Sequence, residues 1–201
     1  MKTQIITLFT ALVLSTGIAA TTYAAPVKND NNVTVLTDIS AINKIEVRGN
    51  VTLYVSDGNA DQVKVYNKFY SEDAVVKSSK GVLSIASYKA EKLVVWVTAA
   101  DLRAIDAYDN SEVRSFGELS KIDFNVELHN TASAKLNIDA YNATVNVYDN
   151  AKADLSGNAD KFNLQHSVAS TVNNSNFKAV SFTEKRTGAP AEVKNEDITR
   201  L

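Results

Sequence analysis

The sequence predicts an all-β fold, a single-domain, right-handed parallel β-helix or solenoid-like stack of short strands, preceded by a cleavable signal peptide. Three observations predict it. Short runs with apolar residues at every second position fill the chain beyond its first quarter. The motif that ends these runs recurs in the second half at spacings of 21 and 19 residues. No amphipathic helical pattern of ten or more residues interrupts them.

The amino terminus is read first. Met1 and Lys2 give a positive start, Ile5 to Ala20 are uncharged and mostly apolar, and Thr22 and Ala24 stand at −3 and −1 of a cleavage site. That order is a secretory leader over residues 1–24. The stretch is shorter and richer in Thr than the ~20 apolar residues of a spanning helix. A mature chain from Ala25 to Leu201 carries net charge −3, since Lys2 is the leader's one charge. No basic stripe is visible along the chain, so nucleic acid is not the expected partner. No transmembrane segment is expected in the mature chain. There is no cysteine, so disulfides, thiol nucleophiles and thiolate metal sites are excluded. An exported bacterial protein, periplasmic, outer-surface or secreted, fits these features.

Residues 25–36 read as a polar linker, 37–183 as the β domain, and 184–201 as a polar tail or cap. Within the domain, Ile45–Val47, Val51–Val55, Val63–Tyr66 and Val82–Ile85 alternate. Asp57-Gly58-Asn59 and Ser79-Lys80-Gly81 supply turns between them. Leu93–Val97 is a continuous apolar run, as in a strand buried on both faces. The Ala-rich Thr98–Ile105 could form a helical turn.

In the second half, Ile122, Phe124, Val126 and Leu128 alternate with polar residues, as do Ala143, Val145 and Val147, while Phe162 and Leu164 flank Asn163. The runs end in Tyr108-Asp109-Asn110-Ser111, His129-Asn130-Thr131-Ala132 and Tyr148-Asp149-Asn150-Ala151. A weaker fourth copy begins at Gln165 or His166, and Leu136 and Leu155 stand seven residues past the last two clear anchors. One such unit cannot bury its own apolar face. Stacked units ~4.8 Å apart bury a continuous aliphatic column. Asn110, Asn150, Ala132, Ala151 and Gly157 suit the corners, which need small or left-handed-tolerant residues. An antiparallel sandwich with similar strands is the competing architecture.

The order of these motifs resembles the head GIN domain family of autotransporter adhesins. The resemblance runs through Ile45–Val47, Val51–Val55, Asp57-Gly58, Val63–Tyr66, Gly81-Val82-Leu83-Ser84-Ile85, Val95–Val97 and Leu102–Ile105, and covers about residues 39–182. It implies an exported β-helical domain, often from Bacteroidetes, with an adhesin-like role and no catalytic residues to carry across. Asn110, Thr131 and Asn150 stand where the family favours Gly, and Thr131 suits a left-handed corner poorly.

Candidate chemistry is sparse. His129 and His166 would lie about two rungs apart, ~9.6 Å, too far to share a zinc ion, so they read as surface imidazoles beside corners. Asp109 and Asp149 would be similarly spaced, near the ~6.5–9.5 Å carboxylate separation of inverting glycosidases, although Asp is also a common turn residue. No nucleophile elbow, phosphate loop or calcium loop is present, and Ser156-Gly157-Asn158 reads as a turn. Tyr108, His129 and Tyr148 line up as an exterior column flanked by Asp109, Asn130 and Asp149. Such a face either stiffens the sheet or meets a ligand. The expectation is a non-enzymatic, cofactor-free binding protein of the envelope, its partner a glycan or an envelope protein. The alternatives are a polysaccharide hydrolase using the paired carboxylates and a structural module that self-associates through a sheet edge.

Overall fold

A computed structural model describes residues 33–36, 39, 41–66 and 74–188. The expected leader (1–24) and residues 189–201 of the expected tail lie outside the described residues. Among the described residues thirteen strands make one sheet: β1 (Val33–Leu36), β2 (Lys44–Gly49), β3 (Val51–Asp57), β4 (Gln62–Tyr66), β5 (Ala74–Ser79), β6 (Val82–Ser87), β7 (Leu93–Ala99), β8 (Ala104–Ala107), β9 (Glu112–Ser115), β10 (Leu119–Leu128), β11 (Ser133–Val147), β12 (Lys152–Ser167) and β13 (Thr171–Thr187). The described residues include no helix. Thr98 and Ala99 finish β7 and Ala104 opens β8, so the Ala-rich segment does not turn helical.

The main ladder is parallel and in register. β8, β10, β11 and β12 align Ile105 with Val126, Val126 with Val145, and Val145 with Leu164. At the other end of this ladder, Ile45 of β2 lies beside Ile105 and Leu83 of β6 beside Ile45. A second inward column runs Ile85, Val47, Ala107, Leu128, Val147. A third alternates size: Ala143 stands between Phe124 and Phe162 and leaves room for both rings. Leu136 and Leu155, expected to be equivalent from their spacing, are direct neighbours. A separate parallel ladder joins β7, β3, β9 and the first residues of β11. Inward residues of both ladders form one continuous core.

The parallel expectation fails in the first half. β4 pairs antiparallel with β1 and β7, and β5 pairs antiparallel with β6. Lys80 and Gly81 both take positive φ (51° and 84°), so the β5–β6 connection is a tight two-residue hairpin that reverses the chain. Val33–Leu36, expected in a polar linker, pairs antiparallel with β4, with Leu36 beside Val63 and Thr34 beside Val65. β13 runs through Thr187, past the expected boundary at residue 183.

Three further expectations change. Ile122 is 76% exposed, not inward, whereas the Lys121 side chain is buried against Asp57. Between Lys121 and Phe124 the inward–outward phase of β10 slips by one residue. Leu93–Val97 is buried on one face, with Val94 and Trp96 outward. His166 is not a surface imidazole beside a corner: it aligns with Val147, at a core-facing position, and its Nε2 lies 2.9 Å from a Glu184 carboxylate oxygen. Glu184 and Arg186 in turn align with Leu164 and His166. The apolar core thus gives way to charged side chains at its last strand, a device that blunts an open edge.

Candidate functional site

The structure brings the six candidate residues into one ridge. Tyr108, His129 and Tyr148 each follow the last residue of a parallel strand, and their N–H groups continue the ladder by donating to Val47, Ala107 and Leu128 carbonyls at 2.8–2.9 Å. Strand register therefore stacks their rings. Tyr108 and His129 are 4.7 Å apart between centroids and 6° from parallel; His129 and Tyr148 are 4.7 Å apart and 18° from parallel. Arg48 extends the column, its guanidinium carbon 3.7 Å from the Tyr108 ring centre. Both faces of Tyr108 and of His129 are covered, by Arg48 and the neighbouring rings, so these two rings present their edges outward.

Beside the rings runs a tight turn. Asp109, Asn130 and Asp149 have φ of 59°, 58° and 50°. Each turn closes with an N–H donated to the ring residue's carbonyl: Ser111 to Tyr108, Ala132 to His129, Ala151 to Tyr148. The left-handed residue is thus the one before Asn110, Thr131 and Asn150, and is always Asp or Asn, which tolerate that region. Thr131 carries no such strain; its hydroxyl donates to the Asp109 carbonyl at 2.8 Å. Ala132 and Ala151 fill the core just after the turn. Gly157, expected at a turn, lies inside β12.

The turn side chains are tied to one another. The Asn130 N–H donates to the Asp149 carboxylate at 2.8 Å, and the Asp109 N–H to the Asn130 side-chain oxygen at 3.3 Å. The Tyr88 hydroxyl donates to the Asp109 carboxylate at 3.1 Å, which holds its proton above the ordinary phenol range. Asn130 separates Asp109 from Asp149; the Asp149 carboxylate accepts a turn N–H, and the Asp109 carboxylate accepts the Tyr88 hydroxyl.

An acidic row flanks the column. Glu46, Asp106 and Glu127 are successive neighbours across β2, β8 and β10. Asp106 is only 5% exposed, and Lys44 answers it at 2.6 Å. That hydrogen bond outweighs the opposing effect of burial and raises the Lys44 ammonium above its usual range. Glu127 lies 3.7 Å from His129 Nε2, which has no hydrogen-bond partner among the described residues. Burial, aided by the Glu127 charge, pushes the Tyr148 hydroxyl up.

A second outward cluster escaped the sequence reading. Trp96 stacks on Tyr54 at 4.7 Å and meets Phe116 at 5.2 Å. An apolar run masks the period-two signal that would have marked Trp96 as outward. Among the described residues no three histidine, aspartate or glutamate side chains gather to hold a metal ion, and no helix is long and apolar enough to cross a membrane.

Known structures share this fold. A protein of Bacteroides fragilis described as a "putative adhesin" superposes with a TM-score of 0.67 at 14% identity, over 82% of this chain and 79% of that one. A "putative adhesin" of Parabacteroides distasonis gives 0.58 at 18% identity, over 78% and 79%. A "putative lipid binding protein" of the same species gives 0.58 at 11%, again over 78% and 79%. At these identities the likeness is one of fold. None of the curated proteins matches the sequence. The family model described as "Putative auto-transporter adhesin, head GIN domain" matches residues 41–195, and the chain belongs to that family.

Proposed function

We propose that this chain is an exported, non-catalytic binding protein of the cell envelope that meets its ligand with flat outer faces rather than a cleft. The parallel ladders are read as turns of a right-handed β-solenoid, in which every outward side chain is repeated at the strand spacing. The observation that carries the reading is the Arg48–Tyr108–His129–Tyr148 column. Ring edges there are held at one spacing, beside the Glu46–Asp106–Glu127 row, ready for a repeating partner such as a glycan. The turn residues Asp109, Asn130 and Asp149 fix its rim. The hydrogen bonds that occupy the two carboxylates, from the Tyr88 hydroxyl to Asp109 and from the Asn130 N–H to Asp149, weigh against the paired-carboxylate hydrolase. The inward charges of Glu184 and Arg186 weigh against self-association through β13.

The stiffening and the binding roles separate experimentally. Tyr108→Phe and Tyr148→Phe keep the stack and remove only the outward hydroxyls. These variants are expected to hold their melting temperature and to lose signal on a glycan array. His129→Ala is expected to cost about 1–2 kcal/mol, because both faces of the ring are stacked. If the Phe variants bind like the parent and only the Ala variant loses stability, the column is a structural ladder and this face is not the contact surface.

A further inference from the structure

The outward row across β4, β7, β3, β9 and β11 reads Lys64, Trp96, Tyr54, Arg114, Lys135, each residue the direct neighbour of the next. Three cations and two aromatic rings thus lie side by side on a chain of net charge −2. No linear stretch of sequence shows this, because five strands supply one residue each. At the Tyr54–Lys135 end the row borders an open groove of about 380 Å³, lined by Tyr54, Arg114, Phe116, Lys135, Asn137 and Ser156 among others.

The groove has a structural origin. Leu136 and Leu155 are paired neighbours, but one residue beyond the Arg114–Lys135 pair the corresponding position on β9 is Ser115. A leucine's volume is missing there. The corner that follows carries Gly117, whose missing side chain would have met nothing within 4 Å. Phe116 consequently stands 63% exposed at the mouth, in contact with Trp96. Lys135 is 74% exposed, held only loosely by Asp154 at 3.5 Å. Arg114 is braced by Glu112, whose carboxylate also meets Lys92.

We propose that this groove binds an acidic saccharide, a face separate from the Tyr108 column. Aromatic rings offer apolar faces to the C–H face of a sugar. Lys135 and Arg114 offer charge to its carboxylate or sulfate. The Ser115 hydroxyl accepts the Asn137 N–H at 2.8 Å and keeps its proton to donate. The Ser156 hydroxyl donates to the Leu136 carbonyl at 3.3 Å and keeps lone pairs to accept. With the Asn137 amide they suit sugar hydroxyls, which do both. A single-stranded nucleic acid would also use rings and cations. It needs a groove that tracks several nucleotides, whereas this one is short.

Trp96 is the chain's one tryptophan, so its fluorescence reports on this row alone. The full mature chain is titrated with a short oligogalacturonate, a sulfated heparin fragment, a neutral galactose oligomer and an oligothymidylate. A saturable change in Trp96 emission is expected with at least one acidic saccharide at up to millimolar concentration. The responding arm identifies carboxylate or sulfate as the group recognised. The affinity is expected to fall at least about tenfold in Lys135→Ala and in Phe116→Ala, whose exposed side chains leave the fold intact, and to weaken with added salt. Tyr148→Phe should leave this response unchanged, which keeps the test independent of the other face. The proposal is overturned by silence with both acidic saccharides. An equal response to the neutral oligomer, a response to oligothymidylate alone, or full affinity in both variants also overturns it.

Discussion

Replacing Gly157 with alanine is expected to destabilise the protein by about 3 kcal/mol or more, one of the largest effects of a single added carbon. Gly157 sits inside β12 with φ of +110°. A Cβ there would stand 2.0 Å from the Ile138 carbonyl oxygen and 2.9 Å from its carbon. Those atoms are backbone of the neighbouring strand, fixed by the β11–β12 ladder, so they cannot swing aside as a side chain would. The cost therefore combines backbone strain with overpacking. Gly117→Ala is the control: its φ is +82°, but an added Cβ meets nothing within 4 Å, so only the strain, about 1 kcal/mol, remains. Urea unfolding of both variants checks the difference. Equal losses would mean that β11 and β12 are not packed as closely as the ladder requires.

Phe162→Ala is expected to cost about 3–5 kcal/mol. The ring is 2% exposed and lies 4.4 Å from Phe177 and 5.2 Å from Phe182 between centroids. It is the largest buried side chain of β12, and its direct neighbour on β13 is Phe182. Ala143 on its other side is too small to fill the void. Phe182→Ala removes a ring already 47% exposed and is expected to cost only about 1 kcal/mol. Thermal melts rank the two. Comparable losses would show that β13 carries as much of the core as β12.

These two sites also show what could be read from the sequence. Alternation around Phe162 and Leu164 placed both side chains inward, because period two is a local property of a strand. The recurring Tyr-Asp-Asn and His-Asn-Thr ends place Tyr108, His129 and Tyr148 in one column, because parallel in-register pairing converts a recurring motif into a neighbour relation. Gly157 was assigned to a turn instead, since a lone glycine signals positive φ without saying whether a corner or a neighbouring carbonyl demands it. Ile122 and Lys121 exchange places because the inward–outward phase slips inside a long strand, and the alternation that follows gives no sign of the slip.

The rest was hidden by distance. In the first half, hairpins interrupt the near-twenty-residue period: β3 meets β7 at Tyr54 and Trp96, and β9 at Tyr54 and Arg114. No spacing in the chain announces the row they form with Lys64 and Lys135. His166 was misread for a related reason. The charged residues that face it, Glu184 among them, belong to a terminal strand whose inward positions abandon the apolar pattern.

Parallel in-register pairing of successive units sets the neighbour relations of the main ladder, and the absence of cysteine allows a direct measurement of it. Thr144 and Asn163 are outward neighbours across β11 and β12, so cysteines at these two positions lie ~4.8 Å apart along the backbone, within disulfide reach. Cysteines at Thr144 and Gln165 lie on the same face but diagonally, ~7–8 Å apart. Mild oxidation of the folded protein should cross-link the Thr144/Asn163 pair rapidly and leave the Thr144/Gln165 pair largely reduced. Preferential closure of the diagonal pair, or of neither, would contradict the register from which every neighbour relation above follows.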